Sequence, residues 1–456
     1  MKPVSRRSML IAGTAGLSLL FVGGLAWRAL SKGVLGIGES AAYEPWRDWA
    51  SEPLEGPLAA VRAGVLAASA HNTQPWLFEI AHDQIAVHAD FSRHLGSFDP
   101  FHRELHLSLG CALANMELAA DAAGLGPTIA MLTGRLDDRS VTVDPHVAAA
   151  TAEAKSQASN QPTSMAMPEP VAMRPVARLY LTAAAPARSP LVDAIDARHT
   201  NRGAYVVDEK IPEPVKMAMR AEVGSGLPPL RLFLFEPGDG KFGRLGNLIV
   251  QATETITADP AMSADSARWF RFDRTQILAH RDGVTLDTAG LPPLVTAFAK
   301  LMPDPDPKDA ERQWLRATRE THVGTAPLLG IIAVGDLYDI PNTIAAGRLW
   351  QRLHLLLTAN GIAAQPLNQP VEMVDRQRAL GRDPIMADAL AELIGIAEAD
   401  EAAAAAAAAA GTEAAADASG TASGIVWQPT FIFRAGYAER GAVASPRRPL
   451  DDVLLA

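Results

Sequence analysis

Two long stretches of the sequence carry apolar residues at the helical spacing of three and four. They cover residues 103–123 and 344–360. Each is followed at once by a glycine, Gly124 or Gly361, and a glycine directly after a helix is typical of a C-cap. The pattern therefore predicts two long helices, one in each half of the chain. A shorter helix is predicted over residues 58–68, after a Pro- and Trp-bearing linker at residues 36–57.

Several short runs of apolar and β-branched residues predict strands. They cover residues 76–80, 84–89, 176–181, 230–235, 328–334 and 430–434. Strands and helices follow one another without a regular βαβ alternation. This order favours an α+β fold over a doubly wound parallel sheet.

The two long helices can be aligned with each other without gaps. At one and the same offset, Gly110 falls on Gly347 and Gly124 falls on Gly361. Because that offset is close to half the chain length, it indicates an internal duplication rather than a solenoid of short repeats. Chance similarity between two Ala- and Leu-rich helices is the alternative.

The duplication predicts three regions in the chain. Residues 1–37 form a signal or anchor, residues 38–187 a first half, and residues 188–456 a second half. Two stretches interrupt these halves. Residues 148–174 are rich in Ser, Gln, Met and Pro and are predicted to be a loose connection. Residues 398–424 contain an alanine run without an amphipathic face, so a low-complexity surface insertion is predicted there.

The N-terminus has the pattern of an export signal. Arg6 and Arg7 precede an uncharged stretch at residues 10–27. Two arginines before an apolar region are typical of a Tat signal, and about 18 residues suffice to span a bilayer if they stay uncleaved. We therefore expect the Tat export machinery as a partner, with the body exported or tethered to the membrane on the periplasmic side. The alternative is a buried N-terminal helix on a cytoplasmic protein.

Composition and motif searches exclude several classes of function. There are 41 Lys and Arg against 51 Asp and Glu, for a net charge of −10, which argues against a general nucleic-acid binder. Cys111 is the single cysteine, which excludes an intrachain disulfide and a Cys-rich metal site. The sequence has no G-x-S-x-G motif, which argues against a serine hydrolase of the elbow type.

Two further motifs are explained better without a ligand. Residues 238–243 fit G-x-G-x-x-G but lack the acidic residue at the end of a second strand, so a turn is preferred to a dinucleotide site. His102 and His106 lie four residues apart, as zinc ligands on a helix do. Arg103 stands where a metalloprotease has its glutamate, so a solvated helix face is preferred to a zinc site.

Polar side chains are concentrated in the short segment 68–76, between a predicted helix and a predicted strand. Ser69, His71, Asn72 and Gln74 bring a hydroxyl, an imidazole and two amides to one loop. Such groups can hydrogen-bond a polar heterocycle. An Asx-type turn beside a buried Trp76 is the alternative.

A second cluster, at residues 198–202, combines two guanidinium groups with a hydroxyl, from Arg198, Thr200 and Arg202. Arginine binds phosphate oxygens in bidentate fashion, so this cluster predicts a phosphate site. A solvated charged turn is the alternative. A third basic pair, Arg447 and Arg448, lies near the C-terminus.

Together, these stretches resemble the nitroreductase-like FMN flavoprotein superfamily, in particular its Acg-type branch. The resemblance covers about residues 50–456 and implies an α+β, nitroreductase-like fold. It also implies a single chain whose duplicated halves imitate the homodimer of shorter relatives. One departure is Ala68, where shorter relatives usually carry a proline before the serine.

The resemblance implies a division of roles among the site residues. The flavin ring is expected against Ser69, His71, Asn72, Gln74 and Gln369. The phosphate is expected on Arg198, Thr200, Arg202 and Arg448.

The function implied is an FMN-dependent oxidoreductase that passes electrons from NADH or NADPH to a nitro, quinone or similar acceptor. Because FMN carries the chemistry, no side chain is expected to be an obligate acid or base, and no metal is expected. The alternative is a protein that sequesters FMN with little turnover, with a lid at about residues 258–307 blocking the nicotinamide. The polar loop occurs only in the first half and the arginine cluster only in the second. We therefore expect one FMN per chain and a monomer with pseudo-dimeric halves.

Overall fold

A computed structural model describes residues 29, 31–34, 38–138, 175–224, 228–410 and 425–455. The predicted Tat stretch at residues 10–27 and the predicted connection at residues 148–174 lie outside these residues. Within them, no helix combines the length and the apolar character needed to cross a membrane.

The described residues form a mixed fold of helices and antiparallel sheets, which confirms the predicted α+β class. The helices are α1 Glu44–Ser51, α2 Gly56–Val65, α3 Arg103–Ala122, α4 Glu213–Glu222, α5 Gly240–Ala258, α6 Pro260–Ala267, α7 Arg274–His280, α8 Pro293–Leu301, α9 Pro307–Ala317, α10 Ile340–Ala359, α11 Gln369–Ala379 and α12 Ile385–Ala410. The strands are β1 Trp76–Ile80, β2 Gln84–Ala89, β3 Leu125–Met131, β4 Pro175–Ala183, β5 Leu230–Phe235, β6 Phe270–Arg271, β7 Val284–Thr285, β8 Leu328–Val334, β9 Ala363–Pro366 and β10 Gln428–Gly436.

Two four-stranded sheets carry the fold. Their orders are β1-β2-β4-β3 and β5-β8-β10-β9, and every neighbouring pair in both sheets is antiparallel. The strands of the two sheets follow the same order along the chain. A long helix follows the first two strands, and the next strand forms an edge of the sheet. The last strand then lies between the second strand and this edge strand. The predicted bounds of β1, β2, β5 and β8 are confirmed, because short runs rich in apolar residues define them well.

The two predicted long helices, α3 and α10, pack against each other at the centre of the molecule. Gly110 and Gly347 lie at their closest approach. A Cβ atom on Gly110 would lie 2.2 Å from the carbonyl oxygen of Ile344, and one on Gly347 would lie 2.0 Å from that of Leu107. Only glycine fits at either position, because these distances are shorter than any real Cβ contact.

The predicted solvated face at the start of α3 is wrong, because His102 and His106 are both buried. Helix α3 packs against α2 on one side and α10 on another, so most of its surface is covered. The charge of Arg103 is balanced by Asp375, whose carboxylate accepts a hydrogen bond from Nε at 2.8 Å. Burial lowers the pKa of His106 to about 4.

Helices are present in the predicted linker at residues 36–57 and at the start of the predicted surface insertion at residues 398–424. The linker at residues 36–57 contains α1, whose Trp46 and Trp49 are buried in a cluster with residues of α2 and α3. The burial of these two tryptophan side chains stabilises the helix. Pro45 is compatible with it because proline is tolerated in the first turn of a helix. Residues 398–410 continue α12, so the alanine run extends a helix. Residues 411–424 lie outside the described residues.

The preference for a turn over a dinucleotide site at residues 238–243 agrees with the local structure. Asp239 caps helix α5 by accepting a hydrogen bond from the backbone N–H of Lys241 at 2.9 Å. Strand β5, which precedes this turn, pairs with β8 in antiparallel fashion and therefore belongs to no βαβ unit.

Candidate functional site

The polar loop at residues 68–76 has an unusual backbone. His71, Asn72 and Gln74 have φ values of 48°, 57° and 53°, in the left-handed region that favours glycine. Each such residue costs on the order of 1 kcal/mol or more, so the surrounding structure must hold it in place. Backbone strain of this kind is concentrated at functional sites.

Both central helices hold this loop. The N–H of Ala68 donates to Oε1 of Gln351 on α10 at 3.1 Å, and the N–H of Ala70 donates to Oγ of Ser108 on α3 at 3.1 Å. Ser69 closes the loop internally, because its Oγ accepts from the N–H of Gln74 at 3.1 Å. The loop is therefore fixed at the junction of the two halves.

The arginine cluster lies against this junction from the other half. Arg198 Nη2 donates to the carbonyl oxygen of Leu66, two residues before the loop, at 3.1 Å. Arg202 Nη1 donates to the carbonyl oxygen of Thr288 at 3.0 Å. Arg447 joins them from the C-terminal segment, where its Nη2 donates to the carbonyl oxygen of Ala67 at 3.1 Å.

These residues line one cleft with two compartments. The smaller cavity, of about 30 Å³, is lined by Ser69, Asn72, Arg198 and Arg447, among others. The larger cavity, of about 230 Å³, is lined by Asp287, Lys300, Arg440 and several apolar side chains, among others. Both share Thr200, Arg202, Thr288 and Val443, so the compartments adjoin. The sequence-predicted loop and arginine cluster therefore meet in one cleft.

The smaller compartment carries positive charge without a counter-charge. Among the ion pairs of the described residues, no carboxylate pairs with Arg198, Arg202 or Arg447. Burial lowers the pKa of Arg198 and of Arg202 to about 10, and it lowers that of Arg447 well below the usual range. The Nε atoms of Arg198 and Arg447 are buried and have no hydrogen-bond partner. A buried cation without a paired counter-charge is costly, so an anion bound in this compartment would lower that cost.

Asn72 and Gln74, both predicted to contact a ring, have most of their polar atoms engaged by the protein. Asn72 Nδ2 donates to the carbonyl oxygens of Gly283 at 3.1 Å and Pro446 at 3.0 Å, while its Oδ1 accepts from Arg447. Gln74 Nε2 donates to the carbonyl oxygen of Arg281 at 2.9 Å. Asn72 still lines the smaller cavity, whereas Gln74 lines neither compartment.

His71 also lies outside the lining of both compartments. Its Nε2 lies 3.3 Å from Oγ of Ser266, and its ring meets Phe98 edge-on at a centroid distance of 5.5 Å. Burial and the nearby charge of Arg202 lower the pKa of His71 to about 4. The ring is therefore neutral near pH 7, where it adds no charge to the cleft.

Two other predicted residues lie away from the cleft lining. Arg448 donates to the carbonyl oxygen of Gln74 at 3.2 Å, and its Nη1 lies 3.6 Å from Oδ2 of Asp90. The carboxylate of Asp90 offsets the charge of Arg448, whereas no ion pair of the described residues offsets that of Arg447. Gln369 begins α11, and its buried Oε1 has no hydrogen-bond partner.

Sequence reasoning did not single out three residues of the cleft. Arg447 was noted only as part of a basic pair, and position along the chain could not show which member of the pair faces the cavity. Asp287 and Lys300 form an ion pair of 2.7 Å at the larger cavity, and the second carboxylate oxygen of Asp287 is buried without a partner. No local motif marks either residue, since tertiary packing brings their segment to the site.

Among known proteins, the chain is similar to solved structures. No family model and no curated protein sequence matches the chain. Three solved structures that it resembles are a putative nitroreductase from Desulfovibrio desulfuricans in complex with FMN, a nitroreductase with bound FMN from Bacteroides fragilis, and the FMN-dependent nitroreductase NfnB from Mycobacterium smegmatis in complex with NADPH.

These likenesses are distant. The sequence identities are 13%, 14% and 16%, and the TM-scores are 0.28, 0.30 and 0.28, in the same order. The matches cover 59%, 57% and 58% of this chain and 98%, 95% and 96% of the respective neighbours. At this level the likeness carries no argument about what the chain binds, so the function must be argued from its own residues.

Proposed function

We propose that the cleft binds FMN and that the protein is an FMN-dependent oxidoreductase of the nitroreductase type. The observation that carries the proposal is the set of three guanidinium groups without a paired carboxylate among the described residues: those of Arg198 and Arg447, which are buried, and that of Arg202, which is partly buried. A phosphate monoester would supply the missing negative charge and accept hydrogen bonds from the unpartnered Nε atoms. The hydroxyl of Thr200 adds a donor at the same place.

The larger compartment fits the ring end of the same ligand. The pyrimidine edge of a flavin presents an N–H between two carbonyl oxygens. Asp287 offers a buried carboxylate oxygen without a partner, and Arg202 and Lys300 offer cationic donors that line the same cavity. The apolar side chains of Leu291, Pro293 and Val443 complete a lining suited to an aromatic ring.

When bound, FMN supplies hydride and electron transfer between a reduced nicotinamide and an acceptor such as a nitro compound or a quinone. The residues of this chain bind and orient. Arg198, Arg202 and Arg447 would hold the phosphate end and Asp287 would hold the pyrimidine edge, while the neutral ring of His71 adds no charge to the loop. No side chain of the cleft needs to act as an obligate acid or base.

A specific observation favours the alternative, in which the protein sequesters FMN with little turnover. The segment from α6 to α8, within the predicted lid at residues 258–307, lies directly on the polar loop. Its backbone carbonyl oxygens accept hydrogen bonds from three side chains of the site: that of Gly283 from Asn72, that of Arg281 from Gln74, and that of Thr288 from Arg202. A segment held this closely would restrict access of a nicotinamide to the ring.

Anaerobic reduction distinguishes the two functions. The purified chain is reconstituted with FMN and mixed with NADH or NADPH, and the flavin absorbance is followed, with dithionite as the reference reductant. The oxidoreductase predicts bleaching by a nicotinamide and reoxidation by a nitroaromatic or quinone. Bleaching by dithionite alone would favour sequestration, and failure to retain FMN would refute both.

We also propose that the two halves arose by internal duplication and that the chain is a pseudo-dimeric monomer with one FMN. The identical order and pairing directions of the two sheets support this, as does the reciprocal contact of Gly110 and Gly347. The polar loop comes from the first half, whereas Arg198 and Arg202 come from the second. Because the second half has no copy of the polar loop and the first half has no copy of the arginine cluster, a second equivalent site is not expected.

The assignment to the Acg-type branch and the export route are further proposals, supported by sequence motifs alone. Replacing Arg6 and Arg7 by Lys should leave the protein in the cytoplasm, since the Tat route depends on the arginine pair. Cell fractionation checks this outcome, and unchanged export of the double variant would refute the Tat assignment.

A further inference from the structure

Helix α8 presents apolar side chains to solvent. Leu294 is 86% exposed and Phe298 is 64% exposed. They lie on one helical face because they are four residues apart. We call this surface the outer face of α8, and it consists of Leu294, Val295 and Phe298 together with Met302 directly after the helix, all of them exposed. A patch of this kind marks a contact with a partner or a membrane.

The opposite side of α8 is polar and buried. Thr296 and Lys300 line the larger compartment of the cleft, together with Pro293 and Ala297. A surface helix of a globular protein normally buries its apolar side and exposes its polar side. Helix α8 has the reverse polarity, and among the residues that the structure describes none covers its outer face.

The N-terminal segment of the chain is fastened beside this helix. Lys300 Nζ, near the end of α8, donates to the carbonyl oxygen of Gly33 at 2.7 Å. Lys32 forms an ion pair of 2.9 Å with Asp273, which caps α7. The position of residues 32–33 is therefore fixed by contacts from both α7 and α8.

Chain length brings the apolar N-terminal stretch close to the same place. Residues 10–27 are uncharged, and Trp27 stands six residues before Gly33. Six extended residues reach about 20 Å at most, whereas α8 is about 14 Å long. An apolar stretch of this length can span a bilayer, and tryptophan favours the membrane interface.

We propose that the outer face of α8 rests on a lipid bilayer, next to the point where the N-terminal stretch enters it. Leucine and phenylalanine side chains on one helix face are the groups that insert below lipid headgroups. Since the inner face of α8 forms a wall of the larger compartment, the cleft would then lie at the membrane surface. This proposal does not depend on FMN binding.

Site-directed fluorescence in proteoliposomes tests the contact in the full chain. Leu294→Cys, Phe298→Cys and the control Met217→Cys are each labelled with an environment-sensitive fluorophore. Met217 is a suitable control because it is 57% exposed on α4, which packs against α10 rather than α8. The native Cys111 should stay unlabelled, because it is buried and burial raises the pKa of its thiol to about 12.

The labelled proteins are reconstituted in phosphatidylethanolamine and phosphatidylglycerol vesicles, with and without nitroxide lipids. The proposal predicts that nitroxide lipids remove most of the fluorescence at positions 294 and 298 and little at position 217. Equal quenching at all three positions would overturn it. Protection of positions 294 and 298 from aqueous iodide without lipid would also overturn it, because a second copy or the N-terminal stretch would then cover the face.

Discussion

Arg198, Arg202 and Arg447 bring three positive charges to one buried place, and each is partly satisfied by backbone carbonyl groups. Arg434 is a useful contrast. It is as deeply buried and also lacks a carboxylate, but its Nε donates to Gln365 at 2.7 Å and its Nη2 to the carbonyl oxygen of Gly203 at 2.6 Å. Its donors are used within the protein, whereas Arg198 and Arg447, which both line the smaller cavity, keep Nε atoms without a hydrogen-bond partner.

Replacing Arg202 by Ala should weaken FMN binding. The change removes a charge-assisted contact, which costs roughly 1.5–3 kcal/mol, or about one to two decades in affinity. Isothermal titration of the apo-protein measures the effect. Arg244→Ala is the matched control, because this arginine lies on the surface of α5 and pairs with Glu392 away from the cleft. Full affinity after Arg202→Ala would contradict the assignment.

Asp287 should recognise the N3–H of the flavin. Wild-type protein is expected to bind FMN about tenfold or more tightly than 3-methyl-FMN, which lacks that hydrogen. In Asp287→Ala the two ligands should bind alike, and comparing them within one variant cancels the loss of the Lys300 ion pair. The ratio of the two dissociation constants is the measurement. A ratio unchanged from wild type would exclude this role for Asp287.

At the scale of elements, the contact between α3 and α10 joins the two halves and sets the position of the cleft. Ser108 on α3 and Gln351 on α10 each accept a hydrogen bond from the polar loop, so a shift of either helix would move that loop. The close approach that allows this depends on Gly110 and Gly347.

Gly347→Ala should destabilise the protein by about 1–3 kcal/mol, because the new methyl group would overlap the backbone of Leu107. Gly243→Ala is the control. This residue lies inside α5 with open space where its Cβ would be, so alanine there should be neutral or stabilising. Urea unfolding measures both changes. Equal stability of the two variants would show that the helices tolerate a wider separation.

Burial of the α3 N-terminus should make stability fall in acid. The pKa of His106 is lowered to about 4 by burial, so the neutral ring stabilises the folded state above the unfolded pKa near 6.5. That contribution, on the order of 3 kcal/mol, is lost as the pH falls from about 6.5 through 4. His106→Gln should flatten the stability curve in this window relative to the exposed control His82→Gln. Parallel curves for the two variants would contradict this.

At the scale of the whole molecule, features that depend on neighbouring residues in the sequence were predicted better than features that depend on tertiary packing. Short runs rich in apolar residues defined β1, β2, β5 and β8, and the matched glycines identified the two helices that meet at the centre. The burial of His102 could not be predicted, because it depends on helices that cover α3 from distant parts of the chain. Helix α1 was missed because its aromatic residues find their partners only in the folded core.

In the candidate site, too, residues in local sequence clusters were predicted and residues placed by tertiary packing were not. Two local clusters, the polar loop and the Arg198–Arg202 region, were predicted and do meet in one cleft. Asp287 and Lys300 carry no local signal and reach the cleft only through the path of the segment between α6 and α8. The choice of Arg447 over Arg448 depends on Asp90, whose carboxylate lies beside Arg448 and is remote from it in sequence.

The most direct test of the central claim is a calorimetric titration of the apo-protein with FMN and, separately, with riboflavin, which has the same ring and no phosphate. The proposed FMN site predicts one equivalent of FMN per chain. It also predicts a much weaker affinity for riboflavin, because Arg198, Arg202 and Arg447 would have no anion to bind. Equal affinity for the two ligands, two equivalents of FMN per chain, or no binding of FMN would contradict it.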